Sequence, residues 1–301
     1  MLNKIIVVGS SNTDMVIKSG KLPAPGETIL GGEFFMNAGG KGANQAVAAA
    51  RLGGKTVFVC KVGTDIFGDQ ALQQFDKEGI DTSFVFTDPI LPSGVALINV
   101  DAKGENSITV ASGANSTLSE NELDKASLIF EAEDLLLIQL ETPLETVIHT
   151  IKNAAAKGLK IVLNPAPATN LPEEIFQYLF AITPNETEAE ILTGISVTDE
   201  NSAQKAAEIL MQKGVENVVI TLGSKGAYLK NENFSGIIST EKVDALDTTA
   251  AGDCFSGAFC VGVLEGKTIE NAVKFACQAA SISVTRMGAQ ASIPYRNELN
   301  S

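Results

Sequence analysis

The sequence predicts an α/β protein: a mostly parallel sheet covered by helices on both faces, with a small β element standing off it. Two observations carry this. Short apolar runs rich in β-branched residues and leucine recur along the chain, and alanine-rich stretches of helical character lie between them. Two further stretches break that rhythm and are rich in turn residues instead.

In chain order, Lys4-Ile5-Ile6-Val7-Val8 ends at Gly9, the pattern of a strand buried on both faces. The stretch 14–36 is irregular and contains Lys21-Leu22-Pro23-Ala24-Pro25-Gly26. Residues 43–52 are alanine-rich and helical, and Thr56-Val57-Phe58-Val59 is the next strand. The stretch 93–111 holds alternating runs joined by Asp101-Ala102-Lys103-Gly104, a hairpin turn. Stretches 14–36 and 93–111 are expected to form the small β element, as either a lid over a site or an ordinary antiparallel extension. Strands then follow at 135–138, 160–163 and 217–221, with helices at 144–157 and 202–213. No linker, repeat or low-complexity tract divides the sequence, so a single domain over 1–301 is expected.

Composition excludes several functions. Lys and Arg number 22 against 36 Asp and Glu, a net charge of −14, which argues against a nucleic-acid or membrane-binding surface. The four cysteines show no CxxC spacing and no secretory segment precedes them, so reduced thiols and a cytoplasmic location are expected. A single histidine, His149, rules out two-histidine metal sites and gives a Ser-His-Asp hydrolase little support. Carboxylates, lysines and backbone groups are left to carry the chemistry.

Three motifs are informative. Asp247-Thr248-Thr249-Ala250-Ala251-Gly252-Asp253 precedes the small-residue run 254–264, so it is a turn feeding the N-terminus of a buried helix, where backbone N–H groups suit a phosphate. Asp253 there is either a base for a hydroxyl nucleophile or, like Asp247, a helix cap. Asn37-Ala38-Gly39-Gly40-Lys41-Gly42-Ala43-Asn44-Gln45 is a glycine-rich turn into a helix but neither a P-loop nor GxGxxG. Lys41 and Asn44 beside bare backbone suit a polyhydroxylated ligand; the alternative is a loop that needs glycine for positive φ. Thr183-Pro184-Asn185-Glu186-Thr187-Glu188 opens a helix in which Asn185 and Glu188 could hold a hydrated Mg²⁺, or Asn185 or Thr187 could simply cap. Polar strand ends at Asn12 and Asp14, Gln139 and Glu141, Asn164, and 221–226 converge on the sheet edge where ligands bind.

These motifs together resemble the ribokinase-like carbohydrate kinases over essentially the whole chain. The match rests on 247–253 and Gly39-Gly40-Lys41-Gly42-Ala43-Asn44-Gln45-Ala46, supported by Asn12-Thr13-Asp14, Pro25-Gly26-Glu27-Thr28, Asn164-Pro165-Ala166-Pro167, Asn185-Glu186-Thr187-Glu188 and Thr221-Leu222-Gly223-Ser224-Lys225-Gly226. The resemblance implies a three-layer α/β/α sandwich with a projecting β lid that often pairs two chains into a homodimer, and ATP-dependent phosphorylation of a sugar hydroxymethyl group. It implies that Asp253 is the general base and that the N–H groups of Ala250, Ala251, Gly252 and Asp253 form an anion hole. Asn12, Asp14, Gly40, Lys41, Asn44 and Glu141 carry over as sugar contacts. Asn185, Thr221, Gly223, Ser224, Lys225, Gly226, Gly252 and Cys277 carry over to the nucleotide. Asp247, Thr249, Ser283, Arg286, Gly288 and Ser292 match a K⁺ site, largely through backbone carbonyls. Ala250 stands where the wider family often has glycine. Ribose is the expected acceptor, with deoxyribose, fructose or a nucleoside as rivals; a silent sugar or nucleotide sensor is the competing class, and a nicotinamide oxidoreductase lacks its glycine fingerprint.

Overall fold

A computed structural model describes residues 3–299. Its elements begin with β1 (Ile5–Val8), β2 (Asn12–Lys18), β3 (Glu33–Gly39), α1 (Lys41–Arg51), β4 (Thr56–Gly63), α2 (Ile66–Lys77) and β5 (Asp81–Asp88). Next come β6 (Gly94–Val100), β7 (Asn106–Ala111), α3 (Glu120–Ser127), β8 (Leu135–Ile138), α4 (Leu144–Ala156), β9 (Lys160–Leu163) and β10 (Ala181–Ile182). The remainder is α5 (Glu186–Thr193), α6 (Glu200–Gln212), β11 (Asn217–Thr221), β12 (Ala227–Lys230), β13 (Ser235–Ile238), α7 (Ala251–Leu264) and α8 (Ile269–Ser283).

The main sheet runs β13-β12-β11-β10-β9-β8-β1-β4-β5. From β11 to β5 every pairing is parallel, and the β11–β12 and β12–β13 pairings at one edge are antiparallel. β1 is an interior strand, with Ile5–Val8 in register with 56–59 on one side and 135–138 on the other. Because successive side chains alternate, its four apolar residues divide between the two faces. Ile5, Val7, Leu135, Leu137 and Val219 pack against Val47, Phe259 and Val273 of α1, α7 and α8. Ile6, Val8, Leu136, Ile138 and Ile220 pack against Val147, Ile151 and Leu210 of α4 and α6. The result is three layers, as expected, and each such side chain contributes roughly 1.5–3 kcal/mol on burial.

A second, four-stranded sheet runs β3-β2-β6-β7. It is mixed, since β2 pairs with β6 in parallel and the other two pairings are antiparallel. It is separate from the main sheet, so stretches 14–36 and 93–111 do not extend that sheet. Asp14, Val16 and Ala96 share one face, with Val16 and Ala96 buried. Ile17, Phe34, Met36 and Leu97 share the other face and are 42–59% exposed. Asn115 ties down the sheet's entry point: it accepts from the Ser11 N–H and donates to the Ser11 carbonyl and Asn12 Oδ1.

On the main sheet α7 lies against α1 with nothing between their backbones at one point. A Cβ built on Gly257 would stand 2.7 Å from the Ala48 Cβ and 2.8 Å from the Gln45 carbonyl. Gly262, further along, gives α8 the same access, 3.0 Å from Ala272. A Gly257→Leu protein is expected to lose roughly 3 kcal/mol or more, because neither backbone can yield without shifting a whole helix. Urea unfolding checks this, and an unchanged midpoint would show that the two helices separate freely.

Candidate active site

The carboxyl ends of the parallel strands meet the N-termini of α1 and α7, the place where open α/β sheets bind ligands. The chain gets there through glycine. Gly9 follows β1, and a Cβ on Gly42 in the first turn of α1 would lie 2.6 Å from the Gly9 carbonyl carbon. Gly40, the residue before α1, has φ 88°, and a Cβ there would stand 2.7 Å from the Asn12 backbone nitrogen.

Asp253 is the third residue of α7 and is not its cap; the capping position belongs to Ala250. Its carboxylate is 6% exposed and accepts from Asn44 Nδ2 at Oδ2 and from Gln45 Nε2 at Oδ1, each at 2.9 Å. Burial pushes its pKa up, and the neighbouring Lys41 ammonium with the two amide donors pulls it part of the way back. Lys41 is the cation at the centre of the group. Burial alone would lower its pKa, but the Asp253, Glu141 and Glu188 carboxylates around it hold it raised and charged. Glu141 accepts from the Ser10 hydroxyl and the Lys41 backbone N–H. Asp14, on β2 of the second sheet, completes the cluster. Its pKa is raised to about 7 by burial first and by the Glu141 and Asp253 charges next. Asn12 lies beside it, with Oδ1 committed to Asn115, and Asn44 Oδ1 is buried with no partner among the described residues.

Before α7 the backbone is strained, with Ala250 at φ 60°, ψ 12°. Glycine, which the resemblance leads one to expect at this position, would adopt that left-handed turn without strain. The turn also sets the anion-binding capacity of the helix start. The Ala251 N–H is engaged by the Thr248 carbonyl, while those of Ala250, Gly252 and Asp253 have no acceptor among the described residues. Nothing lies within 4 Å of where a Gly252 side chain would project. Of the four N–H groups expected to form an anion hole, three are therefore open.

Two cavities meet at this turn. One, of about 250 Å³, is mostly apolar and bounded by Val243, Phe255, Ala280 and Val284 together with Thr221, Gly223, Ser224, Gly226 and Cys277. The other, of about 210 Å³, is polar and bounded by Lys41, Asn164, Asn185, Glu188 and residues 250–253. Thr221, Thr248, Ala251 and Gly252 line both. Lys225 lines neither and is exposed. Asn185, not Thr187, caps α5: its Oδ1 accepts the Glu188 N–H and Glu188 Oε2 accepts its N–H. Glu188 still walls the polar cavity, with burial raising its pKa.

The candidate K⁺ positions are joined by Asp247, whose carboxylate accepts from the Thr249 and Gly288 N–H groups. Arg286 turns its guanidinium to Glu298, and the Ser283 and Ser292 hydroxyls donate to the Ala280 and Ala289 carbonyls. Sequence reasoning did not single out Gln45, Val243, Phe255, Ala280 or Val284 individually. Gln45 was part of a motif, whereas the apolar wall of the larger cavity carries no local signal. His149 lies elsewhere, paired with Asp124 on the surface.

The profile of the pfkB family carbohydrate kinases matches residues 2–296. The chain belongs to that family. Among curated relatives, a ribokinase of Haemophilus influenzae is 48% identical over 99% of this chain and 97% of its own. A deoxyribokinase of Salmonella typhi is 40% identical over 98% and 97% respectively. The Arabidopsis thaliana ribokinase structure, solved with ribose and ATP, superposes with a TM-score of 0.88 at 33% identity, covering 99% of this chain and 98% of that one.

In this pfkB family chain Asp14 gives a stability test independent of turnover. With its folded pKa near 7 and an unfolded value near 4, the folded state holds a proton the unfolded state releases, so its contribution is lost as pH rises through about 7. Asp14→Asn is expected to equal the parent near pH 4 and to exceed it by roughly 1 kcal/mol or more at pH 8. Urea unfolding across that window checks it, and parallel curves would refute it.

Proposed function

We propose that this chain is an ATP-dependent ribose kinase that transfers the γ-phosphoryl group to the 5-hydroxyl, giving ribose 5-phosphate and ADP. One observation carries the reading: a buried carboxylate, Asp253, stands between the open N–H groups of α7 and a hydrogen-bonding cluster suited to a polyol. The full-length similarity to ribokinases supports ribose as acceptor.

In the mechanism the sugar lies against Asn12, Asp14, Gly40, Lys41, Asn44 and Glu141, and the adenosine part of ATP fills the apolar cavity past Gly223, Ser224, Gly226 and Cys277. Asp253 takes the proton from the 5-hydroxyl as its oxygen attacks the γ-phosphorus and the bond to the β-phosphate oxygen breaks. The N–H groups of Ala250, Gly252 and Asp253 and the Lys41 ammonium face the negative charge of the transferring group. Asn44 Oδ1, buried and unpaired, accepts a hydrogen bond from a sugar hydroxyl.

Mg²⁺ and K⁺ fit the residues present. Glu188 keeps one carboxylate oxygen free of its cap in the polar cavity, and Asn185 stands beside it, an oxygen donor set suited to a hydrated Mg²⁺. Asp247 holds the 247–249 and 286–288 segments together, which gathers the carbonyl oxygens a monovalent cation needs. When bound, the two cations offset phosphate charge. The exposed apolar face of Ile17, Phe34, Met36 and Leu97 supports a homodimer formed lid to lid. ATP consumption and four buried free thiols suit the cytoplasm; no helix among the described residues is long and apolar enough to cross a membrane.

ADP formation with ribose, 2-deoxyribose, fructose and adenosine, each in KCl and in NaCl, tests the substrate and the cation. Ribose with KCl is expected to be fastest; preference for 2-deoxyribose would favour the reading that the deoxyribokinase relative raises. Asp253→Asn is expected to lower ribose turnover about 10²–10⁴-fold, and full turnover in that variant would remove the base. Phe34→Glu with Leu97→Glu is expected to yield monomers in sedimentation velocity; an unaltered sedimentation coefficient would remove the lid-to-lid dimer.

A further inference from the structure

We infer that Gln45 is a positioning residue for Asp253, and that Gln139 sets the direction in which the Gln45 amide faces. The inference rests on the reading of Asp253 as the base. The two amides are shut off from water at 0% exposed, and Asp253, which lines the polar cavity, is 6% exposed.

The hydrogen bonds allow one arrangement. Gln45 Nε2 donates to Asp253 Oδ1 at 2.9 Å and to Asn164 Oδ1 at 3.0 Å, so both of its hydrogens are committed to oxygens. Its own Oε1 accepts from Gln139 Nε2. Turned by 180°, the amide would set Oε1 against two acceptors and its NH₂ against the NH₂ of Gln139, which is unfavourable on both sides. Asn164 is held in turn, its Nδ2 donating to the Thr183 carbonyl at 3.0 Å. Gln139 occupies a slot that exists because residue 9 is glycine: a Cβ there would stand 2.1 Å from Gln139 Oε1. The chain of amides thus starts at the end of β8, passes through α1 and ends on the base in α7.

For the reaction this does two things. With Asn44 on Oδ2 and Gln45 on Oδ1, each carboxylate oxygen already accepts one fixed N–H. The carboxylate plane is fixed with it, and so are the lone pairs left for the sugar proton. The Gln45 N–H also favours the ionised carboxylate, the form a base must have, against the cost of burial. A purely structural amide would do neither.

The test is the pH profile of kcat/KM for ribose in Gln45→Met, which keeps the volume and removes the donor, and in Gln139→Met. Gln45→Met is expected to move the acid limb up by about one pH unit and to lower kcat about 10- to 100-fold, with the KM for ATP within about twofold of the parent. Gln139→Met is expected to move the limb the same way by less, and the double variant to match Gln45→Met, since Gln139 acts through Gln45. An acid limb unmoved in Gln45→Met overturns the inference, as does additivity in the double variant. Should Gln45→Met fail to fold by circular dichroism, an unmoved limb in Gln139→Met overturns it instead. Asp253→Asn is assayed in parallel. If it keeps turnover, the base assignment is wrong; if it is inactive while both methionine variants keep the parent profile, only the positioning role fails.

Discussion

α1 and α7 touch backbone to side chain at Gly257, and the position of Asp253, the proposed base, follows from that contact. Asp253 lies one turn before Gly257 on α7, and Gln45 lies one turn before Ala48 on α1, so the close approach at 257 and 48 carries Gln45 to Asp253. A second close approach, between Gly9 and Gly42, fixes the start of α1 on the end of β1 and with it Lys41, Asn44 and Gln45. Two backbone contacts without side chains therefore set four functional groups. Glycine and alanine fill these helices to bring polar side chains within hydrogen-bond distance of one another, and the apolar core behind them is what holds the helices down.

Once assembled, the site is electrostatically loaded. Glu141, Glu188 and Asp253 surround Lys41, and Asp14 feels Glu141 and Asp253, in a chain whose net charge is already −14. At an effective dielectric near 20, each like-charged pair a few ångströms apart costs about 4 kcal/mol, so the carboxylates cannot all ionise at their ordinary values. Burial and neighbouring carboxylates raise Asp14, Glu188 and Asp253. Lys41 and the fixed amides keep Asp253 usable, and the N–H groups at 250, 252 and 253 are the remaining positive end of the site.

Much of this was legible in the sequence, for identifiable reasons. β1, β8, β9 and β11 are buried on both faces and so appear as continuous apolar runs, and the motifs at 39–46 and 247–253 mark the turn, the helix starts and the proposed base. β5, with its alternating Asp81–Asp88 pattern at the sheet edge, and the β12–β13 hairpin carry weaker signals because one side of each lacks a strand or reverses direction. The mixed pairing in the second sheet follows from β2 and β6 lying side by side although some eighty residues apart, which no local pattern expresses. Whether Asp253 capped its helix or faced a ligand was likewise a tertiary question. The left-handed Ala250 takes the capping position, three residues before Asp253, and that leaves the carboxylate for Asn44 and Gln45. Val243, Phe255, Ala280 and Val284 meet in one cavity from three separate segments and could be found only in three dimensions.

The second sheet links binding to the electrostatics of the base. Asp14 is carried on β2, away from the main sheet, yet its carboxyl feels Glu141 and Asp253 and is raised to about 7. Holding that carboxyl out of water and near two like charges favours its protonated form. A polyol in the space between supplies hydroxyl donors to the same oxygens and lowers the cost. Asp14 therefore couples the two sheets: the second sheet supplies a carboxyl whose charge state depends on Glu141 and Asp253 at the end of the main sheet, and the proposed sugar would share all three.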